Sequence, residues 1–424
     1  MRNNIKNLFM DRLDHDMISL LERISKVANQ SSMPVFAVGG FVRDLFLNVS
    51  NKDIDIAVEG DGILFASLLA EEFGGQVKAH EKFGTAVVLF PSGDRIDVAM
   101  TRFEHYAHPA ALPTVEQGSI KSDLYRRDFT INSLAVKLNE EDAFCLLDFL
   151  DGERDIKNKE INVLHDSSFF DDPCRLFRAI RFEQRYDFRI SRKTEDLMRS
   201  AINQRLVDDL SGTRLLNEVI LILKESCTLK YILRMKDLDI LKFVSPQLID
   251  ISALKNIPTV LSESILLPEE PEIWYVYFLS LLYSMNEESF EQTAERLQMQ
   301  ARLRKKLIRD RENCKESLKL LESDKDWSPE TIYNQLSGLS VEAIIYFLAA
   351  ASADRANQYV DIYLTDYYNQ AELFLTGDDL VEMGIKPGPV FQSVFKSLRE
   401  AHVKGVIETR EEEVAWVKKQ FLQQ

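Results

Sequence analysis

Cysteine and histidine are scarce here, four and six in 424 residues. Cys145, Cys174, Cys227 and Cys314 lie far apart, and none belongs to a C-x-x-C pair. That argues against a zinc ribbon or a disulfide framework and fits a reducing, cytoplasmic compartment. There is no H-E-x-x-H, so a histidine-rich metal site is not expected, and the isolated His165-Asp166 reads as a surface pair. No apolar run approaches the roughly 20 residues that span a bilayer. The N-terminus, MRNNIKNLFMDRLDHD, meets charge before any apolar h-region forms, so no signal peptide is expected. Low-complexity tracts and fixed-period repeats are missing too. Positive charge is in short supply: 52 Lys+Arg face 68 Asp+Glu, for a net charge of −16. A generally basic surface for nucleic acid is thereby excluded. One stripe departs from the average. Arg175, Arg178, Arg181, Arg185, Arg189, Arg192, Lys193 and Arg199 outnumber Glu183, Asp187, Glu195 and Asp196 within one short stretch. An RNA partner would have to follow that stripe.

With 45% hydrophobic and 28% charged residues, the chain can bury sizeable cores. Up to about residue 150, strand and helix patterns alternate. Val35–Val38 is an apolar run ending at Gly39-Gly40, and FVRDLFL then has helical spacing. KDIDIAVEG alternates strictly, Asp53 and Asp55 on one face, Ile54 and Ile56 on the other. A helix over 62–73 stops at Gly74-Gly75, and strands follow around 86–90 and 95–100. Beyond residue 150 helical periodicity takes over. The expected fold is α+β, a small mixed-sheet head followed by an all-α remainder. Residues 264–272 (SILLPEEPE) read as a loop, 376–384 as a short helix closed by Gly384, and Pro389 as the first turn of a last helix.

Three constellations carry chemistry. In VGGFVRDLFLNVSNKDIDIAV, Gly39 and Gly40 stand between a strand and a helix, where backbone N–H groups can approach a phosphate. Asp53 and Asp55, at i and i+2 on a strand, point the same way with Cα atoms roughly 6–7 Å apart. Two such carboxylates can share a pair of magnesium ions about 3.5–4 Å apart. Asp97, in RIDVAM on another strand, is the candidate third carboxylate. A lone D-x-D is most often a solvated strand face; its coupling to the glycine turn is what points to phosphate and metal.

In SDLYRRDFTINSLAV, Arg126 and Arg127 stand beside Asp128 and Asn132. Guanidinium forks suit triphosphate oxygens, and Asn and Asp suit ribose hydroxyls. In SFFDDPCRLFRAIRF, Asp172, Arg175, Arg178 and Arg181 recur at steps of three, a polar stripe if all four share one helix. An Asp and an Arg side by side offer acceptor and donor edges to a nucleobase. Taken alone, either cluster is also an ordinary set of ion pairs.

These segments in this order, followed by GTRLLNEV, resemble the class II tRNA nucleotidyltransferases and bacterial poly(A) polymerases of the polymerase-beta superfamily. The resemblance covers residues 1–225 in recognisable motifs and continues more loosely into TGDDLVEMGIKPGPVFQSVFKSLREAHVKG. The stretch YAHPAALPTVEQGSIKSDLYRRDFTIN is similar to a branch that includes A-adding and CCA-adding enzymes. The resemblance implies Mg2+ held by Asp53 and Asp55. It places Gly39, Gly40, Arg43 and Asp44 on the phosphate side, and Arg126, Arg127, Asp128 and Asn132 at ribose and triphosphate. Asp172 and Arg175 become the protein template for the incoming base, with Arg178 and Arg181 as phosphate partners and Arg214 and Glu218 bracing the neck helices. Asp171 stands where the family usually has Glu, which bears on the choice between CTP and ATP. Thr101–Ser119, stiffened by Pro109 and Pro113, matches a flexible loop tied to the switch from C to A addition. Four parts are implied: a head over 28–150, a neck over 151–225, a body over 226–350 and a tail over 351–424. The implied activity is template-independent addition of AMP and/or CMP from ATP or CTP to the tRNA 3′ end, A- or CCA-adding ahead of CC-adding. A poly(A) polymerase is the first alternative and a non-catalytic RNA-binding protein the second. The segment after residue 250 holds more acidic than basic residues, which favours tRNA over any RNA end. Neither a membrane nor a protein partner is implied.

Overall fold

The computed structural model describes residues 3–105, 108, 110–111, 113–140, 143–244, 251–263, 267–323, 326–351, 354–368 and 373–422. The chain divides into two compact units, residues 1–218 with 234–240, and residues 219–233 with 241–424. Among the described residues no helix is long and apolar enough to cross a membrane. All four cysteines are free thiols.

The first unit opens with β1 Asn3–Asn4, α1 Lys6–Arg12, α2 His15–Ser31, β2 Val35–Val38, α3 Gly40–Leu47, β3 Ile54–Val58 and α4 Gly62–Phe73. Next come β4 Gln76–His80, β5 Thr85–Leu89, β6 Arg95–Met100, β7 Arg102–His105, β8 Thr114–Gln117, α5 Ile120–Tyr125, β9 Leu134–Lys137 and β10 Cys145–Asp148. Eight strands form one mixed sheet in the order β1-β10-β9-β2-β3-β6-β5-β4. Only β3 and β6 run parallel, and their register sets Asp55 opposite Asp97. Apolar residues at alternate positions of β3 (Ile54, Ile56) go into the core, which leaves Asp55 on the other face. Asp61 caps α4 by accepting the Ile63 and Leu64 N–H groups, and Gly74, at φ 67°, ends it. On the site's side, Ile120 and Leu124 of α5 pack over Phe36, Val38, Ala57 and Ala135.

The unit continues with α6 Gly152–Asn158, β11 Glu160–Ile161, α7 Ser168–Asp171, α8 Cys174–Tyr186, β12 Arg189–Ile190 and α9 Arg192–Asn203. The helices α10 Gly212–Leu223 and α11 Thr228–Asp237 follow. The small mixed sheet and helical remainder are as expected. Several details differ. The sheet begins before residue 28, since β1 pairs with β10. The strands β4, β9 and β10 lacked clear alternation and were not anticipated. The segment Thr101–Ser119, expected as a flexible loop, contains the β7–β8 hairpin; Pro109 lies outside the described residues. A two-residue parallel pair, β11 with β12, sits within the stretch expected to be all-α.

The second unit is helical. Its helices are α12 Ile251–Ser262, α13 Ile273–Leu282, α14 Glu287–Arg296, α15 Ala301–Leu321, α16 Pro329–Leu336, α17 Val341–Ala351 and α18 Asp354–Ile362, then α19 Gly377–Glu382, α20 Pro389–Val403 and α21 Arg410–Val417. Buried almost all round, α17 forms the centre (Ala343, Ile344, Ile345, Phe347, Leu348). Leu375, Leu380, Val394 and Leu398 build a second core near the C-terminus. The short helix expected at 376–384 is α19, and Pro389 opens α20. Of the expected loop at 264–272, residues 264–266 lie outside the described residues.

Candidate active site

The turn from β2 into α3 brings backbone, carboxylate and guanidinium together. Gly39 has φ 68°, a left-handed conformation that favours glycine. A Cβ there would stand 2.8 Å from Arg127 Nη1 and 3.5 Å from Asp55 Oδ2. Asp55 is mostly buried. Burial raises its carboxyl above the ordinary range; Arg127 opposes the shift, and the charges of Asp97 and Asp53 add to it. Asp53 precedes the strand rather than belonging to it: β3 begins at Ile54, and the Asp53 N–H donates to Asn51 Oδ1 at 2.9 Å. The Asp53 side chain is exposed, with Arg95 3.8 Å away.

A cleft of about 740 Å³ opens over this face. Asp55 and Asp97 line it with Gly39 and Gly40; Arg126, Arg127, Asp128 and Asn132 form a second wall, and Asp172, Arg175, Arg178 and Arg214 a third. All three sequence constellations therefore meet in one cavity. Asp53, Arg43, Asp44, Arg181 and Glu218 are not among its lining residues.

The two adjacent arginines are held by a residue that the sequence reading missed. Asp123 on α5 accepts from Arg126 Nη2 at 2.7 Å and from Arg127 Nη2 at 3.1 Å. Burial works against its charge, but the two guanidiniums outweigh this and keep its carboxyl below the ordinary range. Glu104, on β7, accepts from Arg126 Nη1 at 3.1 Å. The signal for Asp123 was present, since i+3 and i+4 on a helix put both arginines beside it. Arg127 Nε is buried without a hydrogen-bond partner among the described residues, so a donor remains for a ligand. Asp123→Asn should loosen the hold on both guanidiniums that face the cleft. It should also cost about 1–2 kcal/mol of stability, measured by urea unfolding.

Arg43 and Asp44 lie beneath the cleft. Arg43 donates to Asp44 Oδ1 at 2.8 Å and to Asn132 Oδ1 at 2.6 Å, with Tyr186 and Phe182 rings 4.8 and 5.3 Å away. Asn132 in turn donates to Asp128 Oδ1 at 2.9 Å, and Arg178 Nε donates to Asp128 Oδ2 at 2.8 Å. One buried polar chain thus runs from α3 to α8. Arg178, expected as a phosphate partner, is bonded to Asp128.

Asp172 does not share a helix with the three arginines. It is extended (φ −141°, ψ 97°), and α8 starts at Cys174. Pro173 is the reason: the residue before proline is disfavoured in the helical region. Asp172 Oδ1 accepts from the Cys174 N–H at 3.0 Å and from Arg214 Nη2 at 2.8 Å. Arg214 Nη1 also reaches the Ala110 carbonyl at 2.9 Å. Arg175 is buried and donates to Ser168 Oγ and the Arg126 carbonyl, both at 2.7 Å. Asp172 and Arg175 therefore line the same wall through separate braces. Glu218 is raised by burial against the pull of Arg178 and Arg181, and its Oε2 has no hydrogen-bond partner among the described residues.

Among the described residues no group of three or more His, Cys, Asp or Glu side chains stands as a ready-made metal cluster. The donor chemistry still fits a divalent cation. Asp55 and Asp97 are hard oxygen donors in register, Asp53 lies close enough to act on Asp55, and the mutual repulsion of three carboxylates falls when a cation binds.

Residues 35–162 match the poly A polymerase head domain. The chain is 43% identical over 423 residues to an A-adding tRNA nucleotidyltransferase of Geobacter sulfurreducens, covering 97% of this chain but 48% of that protein, about half its length. An A-adding tRNA nucleotidyltransferase of Halalkalibacterium halodurans is 30% identical over 427 residues, 99% of this chain and 96% of that one. Among solved structures, a CCA-adding enzyme in an apo form is 33% identical, with TM-score 0.80 over 99% of both chains.

Proposed function

This chain belongs to the class II tRNA nucleotidyltransferase family, and from that premise we propose that it adds AMP from ATP to the 3′ end of tRNA without a nucleic-acid template. The observation that carries the reading is the single cleft in which the strand carboxylates face the arginine wall. A-only addition is favoured over CCA addition because the relative described above at 43% identity is an A-adding enzyme, against 33% for the CCA-adding structure. Asp53 and Asp55, with Asp97 beside them, would hold Mg2+. Bound there, the ion would acidify the attacking 3′-hydroxyl and neutralise charge on the departing pyrophosphate. Arg127, with its unspent Nε and its place at the glycine turn, binds the triphosphate. Arg126 supports it through Asp123 and Glu104. Asp172 and Arg175, each braced from behind, present an acceptor and a donor to the base edge.

In this reading the head (28–150) does the chemistry, the neck (151–225) selects the base, and the body and tail (226–350, 351–424) hold the tRNA in the cytoplasm. The largest cavity described, about 1000 Å³, supports the last role. It lies in the second unit, not at the carboxylates, and is lined by Tyr333, Tyr363, Tyr368, Lys396 and Arg399. Of these rings Tyr333 and Tyr363 are buried and Tyr368 is exposed, so the cavity offers one stacking face beside the two cations.

The deciding experiment offers tRNAs ending before CCA, after C and after CC, with ATP and CTP separately. One A added to the CC end, with no CMP incorporation, is expected. CMP incorporation would make the enzyme CCA-adding. Long A tails on an unstructured primer would replace the tRNA reading with a poly(A) polymerase.

A further inference from the structure

One arginine on the catalytic face stands outside the hydrogen-bond network. Arg43, Arg126, Arg127, Arg175, Arg178 and Arg214 each donate a side-chain hydrogen bond of 3.1 Å or less. Arg95 donates none among the described residues. It opens β6 two positions before Asp97, so the two side chains share a face. Its Nη2 lies 3.8 Å from Asp53 Oδ1 and its Nε 3.9 Å from Asp97 Oδ2. All three side chains are substantially exposed (57%, 71% and 41%). Contacts this long between solvated groups stabilise a fold little. A cation is therefore parked, loosely, across two of the three carboxylates.

Arg95 also faces a different cavity. Asp97 lines the nucleotide-side cleft, whereas Arg95 lines a second one of about 540 Å³ with His15, Arg23, Lys52 and Phe90. In-line displacement sets the attacking and leaving oxygens on opposite sides of the phosphorus. The leaving pyrophosphate belongs with Arg127 and the glycine turn. The RNA end must then approach from elsewhere around the carboxylates; Arg23, Lys52 and Arg95 border the second cavity together with Asp14, Asp16 and Asp94, and of these cations Arg95 is the one that reaches Asp53 and Asp97.

We propose that Arg95 is an exchangeable cation of the catalytic face, pairing with Asp53 and Asp97 in the metal-free enzyme and turning to the terminal phosphodiester of the RNA strand once a divalent ion takes those carboxylates. This rests on the reading of Asp53 and Asp55 as metal carboxylates. No bond is made or broken in the exchange. A guanidinium on a mobile side chain suits both roles, since it forks equally well to carboxylate and phosphate.

The test uses the full chain carrying Arg95→Gln or Arg95→Lys, with Mn2+ as the probe. Mn2+ titration by electron paramagnetic resonance, without RNA or nucleotide, should show Arg95→Gln binding about three- to tenfold tighter, because a competing positive charge is gone. In steady-state assays the KM for tRNA should rise about tenfold, as for one lost charge-assisted contact, with the KM for ATP unchanged. Arg95→Lys should fall between. Unchanged Mn2+ affinity, or a rise in the KM for ATP in place of that for tRNA, overturns the proposal. Asp53→Asn and Asp55→Asn serve as controls. If they leave Mn2+ binding intact, it is the metal assignment that fails. Thermal melts of each variant separate misfolding from either result.

Discussion

Asp55→Asn should lower kcat for AMP incorporation about a thousandfold or more, roughly 4 kcal/mol of barrier, while making the metal-free protein more resistant to heat. The two effects share one cause. Asp55 is mostly buried beside Asp97 and Asp53, and Arg127 offsets the cost of its charge only in part. The folded state therefore favours the protonated carboxyl. Stability contributed by a group with a raised pKa is fully present below its unfolded value and is lost as pH rises through the folded one. At pH 7 the ionised side chain is a liability, and the isosteric amide removes it. Melting curves in EDTA at pH 7 should place the variant above the wild type. Added Mg2+ should raise only the wild type, since ligand binding stabilises the state that binds it. An active Asp55→Asn enzyme, or a variant less stable than wild type in EDTA, would contradict this account of the site.

Asp128→Ala should cost about 3–5 kcal/mol of stability, the range seen when one partner of a buried ion pair is removed, and should suppress incorporation as well. Asp128 is buried and accepts from Arg178, from Asn132 and from the Phe129 N–H. Burial pushes its carboxyl up, but Arg178 and the Asn132 hydrogen bond outweigh that and hold it below the usual range. A depressed folded pKa contributes stability above the unfolded value and loses it as pH falls through the folded one. The gap between wild type and variant should hence be full at pH 7 and shrink below about pH 3.8, the ordinary range for Asp. Urea unfolding across that range measures it. The double variant Asp128→Ala/Arg178→Ala should be less destabilised than the two single changes added together, because each leaves a buried charge that the other removes. Strict additivity would show that the link from Asp128 to α8 is not the source of the effect.

The positions legible in the sequence were those where a local rule leaves little choice. Strict alternation put Asp55 on the face opposite Ile54 and Ile56, and two glycines after an apolar run marked the turn at Gly39. Periodicity separated the sheet from the helices beyond it. What escaped was set by pairing between distant segments. β4, β9 and β10 have no pattern that stands out alone, and β1 takes its place only because β10 is there to pair with it. The polar stripe drawn through Asp172 overlooked Pro173, whose ring was the available warning. The bond from Arg178, expected at phosphate, to Asp128 escaped because the two lie 50 residues apart and no spacing rule joins them.

By itself, then, the sequence determined the chemistry on offer: closely spaced acidic groups, a glycine turn, and arginines in known order. Local propensities act over a few residues, so that much is written in spacing. Only the tertiary structure decided which of those groups are available to a substrate. The parallel register of β3 with β6 made Asp97 a neighbour of Asp55, and long-range hydrogen bonds tied Arg43 to Asn132, Arg178 to Asp128 and Arg214 to Asp172, while Arg127 Nε has no partner among the described residues. A charged side chain's role depends on what else is buried beside it, and burial is a property of the assembled chain.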